Sequence, residues 1–148
     1  MHYMTTAREM IESCACHKVR MAARAVTRAY DEALRPVGLR ATQVSLLAAI
    51  AAEEALSISA LAQLLGMDRS TLTRNLAPLE KEGLTRIGAE GWRRSRTLSL
   101  TAKGRQRLQA AMPLWEGVQK HLKHDLGEDG WSKAQGSLDE LIRTGSVA

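Results

Sequence analysis

The apolar positions between Leu56 and Thr101 pass from helical to extended spacing, and the rest of the chain is arranged around that stretch. Leu72, Leu76 and Leu79 recur at i, i+4 and i+7, the spacing of a helix with one buried face. Ser70, Arg74, Ala77 and Lys81 fall opposite, flanked by Thr71 and Thr73. Asp68 stands where an N-cap is expected and Gly83 where the helix must stop. A shorter helix precedes it, with Ser57 as cap, apolar Leu61, Ala62, Leu64 and Leu65, and Gly66-Met67 as the turn. After it the pattern becomes extended, in the runs Leu84 to Ile87 and Thr97 to Leu100. A Gly- and Arg-rich tip from Gly88 to Arg96 separates the two runs and reads as a wing.

Outside this unit the period is helical throughout. Ala22, Val26, Ala29 and Ala33 form a stripe that predicts one long helix over 5–35, with Tyr30 at the stripe's edge. Arg35-Pro36-Val37-Gly38 ends it, because proline disfavours helix in the residue before it and glycine permits the turn. A second helix is predicted from Leu39 to Ala52, with Val44, Leu47 and Ile50 inward and Gln43 reaching back to its first turn. Thr101 caps another long helix carrying Leu108, Met112, Trp115 and Leu122, in which Pro113 predicts a kink. The segment Gly127 to Gly130 breaks that run before a last short helix marked by Trp131, Leu138 and Leu141. The expected fold is therefore mainly α with a small β-hairpin wing. A winged helix-turn-helix unit over 39–106 is flanked by terminal helices over 1–38 and 107–148.

Composition narrows the class. A chain of 148 residues fits a single domain with a real core. With 45% apolar residues, 3% aromatics and no Phe, that core must be aliphatic. No run of 18 apolar residues suits a membrane span, and the charged N-terminus does not resemble a signal peptide. The expected location is the cytoplasm.

Charge points to a partner. Residues 56–107 hold ten Lys or Arg and four acids, a surplus of six; the remaining eleven bases and twelve acids leave −1. The whole positive excess thus sits on the helix pair and hairpin, the footprint of a unit that meets double-stranded DNA. In a helix-turn-helix the second helix enters the major groove. Arg74 is then the candidate for a bidentate guanine contact, and Ser70, Thr71 and Thr73 for phosphates or thymine edges, beside Arg69. Arg94 would enter the minor groove, while Arg93 and Arg96 meet phosphates. A non-specific packaging protein would be expected to carry an aperiodic basic tail, and none is present.

These residues resemble a known family. Leu61-Ala62-x-Leu64-Leu65-Gly66-Met67-Asp68-Arg69-Ser70-Thr71-Leu72-Thr73-Arg74, then Leu79-Glu80-x-x-Gly83-Leu84, and later Arg94 with Leu100-Thr101-x-x-Gly104, is similar to the MarR family of bacterial transcription regulators. The likeness is specific in the reading unit and covers nearly the whole chain. It implies a repressor-type regulator whose terminal helices build a homodimer interface. It also implies an effector pocket between those helices and the reading unit, for which Arg20, Arg24, Tyr30 and Trp115 are the candidate lining. Arg94 stands where the family's wing arginine stands, whereas Trp92 replaces the aspartate that usually pairs with it.

Three other chemistries remain. Cys14 and Cys16 are the chain's only thiols and lie beside Lys18 and Arg20, which lower a thiol pKa where they truly neighbour it. They are candidates for a redox sensor with DNA binding as its readout. On a continuous helix they would point about 200° apart and could not bridge without unwinding. Cys14, Cys16, His17, His121 and His124 are zinc-type ligands, but no Cys-x₂-Cys pair gathers them. Nothing resembles a phosphate-cradling loop, a nucleophile elbow or a paired-carboxylate site, so neither an enzyme nor a cofactor is expected.

Overall fold

The computed structural model describes residues 5–53, 56–90 and 96–145, and of Ala89, Glu90 and Arg96 the backbone alone. The elements run α1 (Ala7–Ser13), α2 (Ala15–Leu34), a 3-10 turn (Arg35–Val37), α3 (Ala41–Ala52), β1 (Leu56–Ser57), α4 (Ile58–Leu64), α5 (Arg69–Lys81), β2 (Thr85–Glu90), β3 (Arg96–Leu100) and α6 (Ala102–Gly145).

The expected first helix is two helices. Thr6 caps α1 with a full capping box, its hydroxyl accepting from the Glu9 amide at 3.1 Å while Glu9 accepts from the Thr6 amide at 2.7 Å. The bond from the Thr6 amide, foremost, and one from the Thr6 hydroxyl to Glu9 Oε2 at 2.9 Å hold the Glu9 carboxyl below its ordinary range. The chain then turns extended at Cys14 (φ −64°, ψ 113°), whose Sγ caps α2 by accepting from the His17 amide at 3.5 Å. An apolar stripe continuous in sequence does not reveal this interruption.

Elsewhere the caps fall where expected. Gln43 accepts from the Arg40 amide at 3.0 Å, Ser57 from Ala60 at 3.0 Å and Thr101 from Gly104 at 3.0 Å. Asp31 adds an anchor across the α2–α3 turn by accepting from the Ala41 amide at 2.8 Å. Pro113 stays inside α6, and the departure from helical dihedrals comes instead at Gly127 (φ 73°, ψ 164°). Glycine is free to adopt that positive φ, whereas a proline fits a helix once its neighbours absorb the lost donor.

The sheet has three strands in the order β1-β3-β2, all antiparallel. Leu98 pairs with Ile87 on one side and Leu56 on the other, and the ladder slips between Ile87 and Glu90. The hairpin was expected, but β1 was not, since two residues carry no periodicity of their own.

The buried core is wholly aliphatic. Leu46, Leu47 and Ile50 of α3, Leu61 of α4, Leu72, Leu76 and Leu79 of α5, and Leu84, Leu98 and Leu100 of the hairpin form one cluster with Leu34 and Ala111. Leu64, expected to share α4's apolar face, is instead 57% exposed. The terminal helices contribute little: α1 buries no residue, α2 buries Leu34, and α6 buries Gly104 and Ala111. Met10, Ile11, Val19, Met21, Leu126, Leu138 and Leu141 stay exposed on them, as does Val26 of the expected α2 stripe.

Candidate nucleic-acid interface

Three leucines fasten α5 to the core, and its opposite face is open. Arg69, Ser70, Thr73, Arg74, Ala77 and Lys81 are exposed, Thr71 is half-buried, and Asn75 turns toward the core edge, donating to the Met67 sulfur at 3.8 Å. Asp68 caps the helix by accepting from the Thr71 amide at 2.7 Å. Its carboxylate also accepts from the Ser70 hydroxyl at 2.6 Å and the Thr71 hydroxyl at 2.9 Å. These three bonds, the Ser70 one foremost, lower the Asp68 pKa to about 2. Thr73 donates its hydroxyl to the Arg69 carbonyl at 2.8 Å, and Arg74 Nη2 reaches Thr71 Oγ1 at 3.4 Å.

The far end of α5 is tied to the start of α6. Gly83 takes the left-handed turn (φ 73°) after the Glu82 cap. Lys103 Nζ donates to the Glu82 carbonyl at 2.8 Å, and Arg107 bridges the Val37 carbonyl at 3.2 Å and the Glu82 carboxylate at 3.5 Å. Displacement of α6 therefore bears directly on the end of the helix whose face is open.

The hairpin carries Arg86 exposed on β2. Trp92, Arg93 and Arg94 lie outside the described residues, as does the side chain of Arg96. The wing-tip contacts expected of them stay sequence-based.

Where α2, α3 and α6 meet, a cavity of about 850 Å³ opens. Small residues of α3 (Ala41, Ser45, Ala48, Ala52) form one wall, and Leu108, Met112 and Trp115 of α6 form the other. Tyr30, Ser45, Gln119 and Gln135 supply its polar side chains, and Tyr30 donates to Gln119 Oε1 at 2.7 Å. Burial pushes the Tyr30 phenol up from its ordinary pKa. Among the described residues no charged side chain lines this cavity. Of the four expected lining residues, Tyr30 and Trp115 are on its wall, whereas Arg20 and Arg24 are exposed on α2 and are not. Arg20 is about three helical turns from Tyr30, and Arg24 projects from another side. Sequence reasoning missed the α3 wall. Its signal was present: Ala41, Ser45, Ala48 and Ala52 repeat at helical spacing opposite the leucines.

Cys14 and Cys16 are both exposed and unbridged. Among the described residues no group of three or more His, Cys, Asp or Glu side chains converges as a metal site. His121 and His124 both turn to Asp125, at 3.3 Å each. Among the described residues no helix is long and apolar enough to cross a membrane.

A sequence model described as MarR family matches residues 37–91. The fold is similar to the transcriptional regulator MosR of M. tuberculosis solved in complex with DNA. The identity is 42%, over 90% of this chain and 96% of that one, at a TM-score of 0.83. It is also similar to the transcriptional repressor CouR bound to a 23-mer DNA duplex, at 25% identity, 94% and 99% coverage, and a TM-score of 0.82. CouR bound to p-coumaroyl-CoA matches at 26% identity, 90% and 95% coverage, and a TM-score of 0.81. No curated protein matches the chain.

Proposed function

The chain belongs to the MarR family of DNA-binding transcription regulators, and on that premise we propose that it acts as a homodimer whose hold on DNA is set by an uncharged, largely apolar effector. Its operator would be pseudo-palindromic, because two reading helices related by a two-fold axis meet half-sites about one turn of DNA apart. Ser70, Thr71, Thr73 and Arg74 form the face toward the base edges. Arg69, Arg93 and Arg96 serve the backbone, and Arg94 the minor groove.

The observation that carries the dimer is the division of apolar surface. The core cluster lies mostly within 39–106, whereas Met10, Ile11, Met21, Leu126, Leu138 and Leu141 remain exposed on the terminal helices. Exposed apolar residues gathered on the terminal helices are what an interface would cover, and a second copy supplies the matching surface. We assign 1–38 and 107–148 to it.

The cavity supports the effector reading. Its size suits a small organic ligand, and an ion desolvated against an uncharged wall would find no counter-charge. A ligand wedged between α3 and α6 would press on α6, which holds the end of α5 through the contacts of Lys103 and Arg107 with Glu82. The test is to titrate 2-naphthamide and 2-naphthoate, matched in shape and different in charge, following Trp115 fluorescence against a Trp115→Phe control together with DNA binding. The amide should quench Trp115 and change DNA affinity. Equal or tighter binding of the carboxylate overturns the uncharged-ligand reading, and binding without any change on DNA overturns the control.

A second reading makes the thiols the sensor, and the break at Cys14 favours it. Cys14 and Cys16 do not share one continuous helix, so a link between them does not require a long helix to unwind. Oxidation by hydrogen peroxide would take two electrons and two protons from the two thiols, giving a disulfide and two waters. The Cys14 sulfur would then lose its thiol role at the start of α2.

A further inference from the structure

We propose that Asp68, together with the Arg69 carbonyl, sets the hydrogen-bond polarity of the reading helix, so that Ser70, Thr71 and Thr73 face DNA as acceptors and methyl groups, selecting base amines rather than holding phosphates. The inference rests on the assignment of α5 as the helix that reads the major groove.

The direction of each bond follows from its acceptor. A carboxylate at neutral pH and a backbone carbonyl carry no hydrogen, so a hydroxyl bonded to either must donate. Ser70 and Thr71 lie 2.6 Å and 2.9 Å from the two Asp68 oxygens, and Thr73 lies 2.8 Å from the Arg69 carbonyl oxygen. Each hydroxyl has a single hydrogen, and all three are committed inside the protein. What they can show a ligand is lone pairs, plus the methyl groups of Thr71 and Thr73. Thr71 is further polarised: it donates to Asp68 and accepts from Arg74 at 3.4 Å, forming a chain from carboxylate to guanidinium.

Phosphate oxygens are acceptors only, so Ser70 and Thr71 cannot bond them without releasing charge-assisted bonds to Asp68, nor Thr73 without releasing the Arg69 carbonyl. At the helix N-terminus Asp68 already occupies the Thr71 amide and brings a negative charge, which disfavours a phosphate there. In the major groove, by contrast, adenine N6 and cytosine N4 offer hydrogens, and thymine offers a methyl group. Toward the base edges the face therefore sets Arg74 as a strong donor among acceptors, with Arg69 and Lys81 at the two ends of the helix. This replaces the phosphate role that residue type alone would give Ser70, Thr71 and Thr73.

A one-atom exchange tests it. In Asp68→Asn the amide oxygen still caps Thr71, so folding is retained. The NH₂ group that takes the place of Oδ2 donates to Thr71 Oγ1, and the Thr71 hydrogen is released toward DNA. Binding selection from a randomised duplex should show the preference for an amine at one position of each half-site weakening by about threefold to tenfold, the worth of one hydrogen bond. The preference should move toward guanine O6 or thymine O4. A uniform gain in affinity with an unchanged motif, as loss of a negative charge alone would produce, overturns the proposal. So does a motif shift that persists when Asp68→Asn is made on Thr71→Val, which lacks the hydroxyl. A motif unmoved by Arg74→Ala as well removes α5 as the reading helix and takes the inference with it. Thermal melting of each variant keeps folding and reading apart.

Discussion

Gly104 lies so close under Leu84 that a β-carbon built on it would stand 2.0 Å from the Leu84 carbonyl oxygen and 2.9 Å from its carbonyl carbon. The same carbonyl accepts from the Thr101 amide at 3.1 Å, so the first turn of α6 is laid against the exit from α5. No side-chain rotation relieves a clash with backbone. Gly104→Ala should therefore cost about 1–3 kcal/mol or more, the usual penalty of overpacking, read as a lower denaturant midpoint. An unchanged midpoint would show that α6 does not approach the hairpin this closely.

Arg74 is the strong donor at the centre of the exposed α5 face. Arg74→Ala should remove about 1–3 kcal/mol of specific affinity and relax one base position. Arg93→Ala should weaken all sequences alike and lower the salt dependence. Fluorescence anisotropy on operator and unrelated duplexes separates the two patterns, and a uniform loss for Arg74→Ala contradicts its assignment.

Light scattering at micromolar concentration should give twice the chain mass of 16.2 kDa. Leu138→Glu places a charge on the exposed apolar face of α6 and should shift the mass toward that of one chain. A wild-type protein that scatters as one chain removes the dimer reading.

Mild peroxide should lower operator affinity in the wild type and leave the Cys14→Ser, Cys16→Ser double variant unaffected. A non-reducing gel then distinguishes a local disulfide from one between subunits. Equal loss in both proteins returns the thiols to a capping and packing role, and leaves a small-molecule effector as the means of control.

Asp68 makes stability depend on acid. Its pKa is lowered to about 2 in the folded protein from an ordinary 3.8. A depressed carboxyl pKa adds stability above the unfolded value, and that contribution fades as pH falls through the folded one. The wild type should lose it between about pH 4 and pH 2, whereas Asp68→Asn should lack this component of the slope. Parallel melting curves for the two proteins over that window would show that the cap does not hold in solution.

Much of the reading unit was legible from residue order, because its signals are local. The leucine spacing of α5, Asp68 and Gly83 at its ends, the Ser57 and Thr101 caps, and the two extended runs all act within a few residues. At the wing, Arg93 and Arg94 were read from charge and pattern and the departure at Trp92 from resemblance, and all three lie outside the described residues.

The sequence by itself determined which faces are apolar, where most helices start and stop, and where the positive charge accumulates, since each follows from side-chain type and helical period. Only the tertiary structure decided the rest. The break at Cys14 depends on a sulfur finding the His17 amide, and β1 exists because Leu98 has an open edge for Leu56. The cavity forms where the small residues of α3 meet α6, and Arg20 and Arg24 are not on its wall. Residue type likewise leaves a serine or threonine free to donate or accept. Which it does is settled by the neighbour its hydroxyl reaches, and at Ser70 and Thr71 that neighbour is a carboxylate with no hydrogen to give.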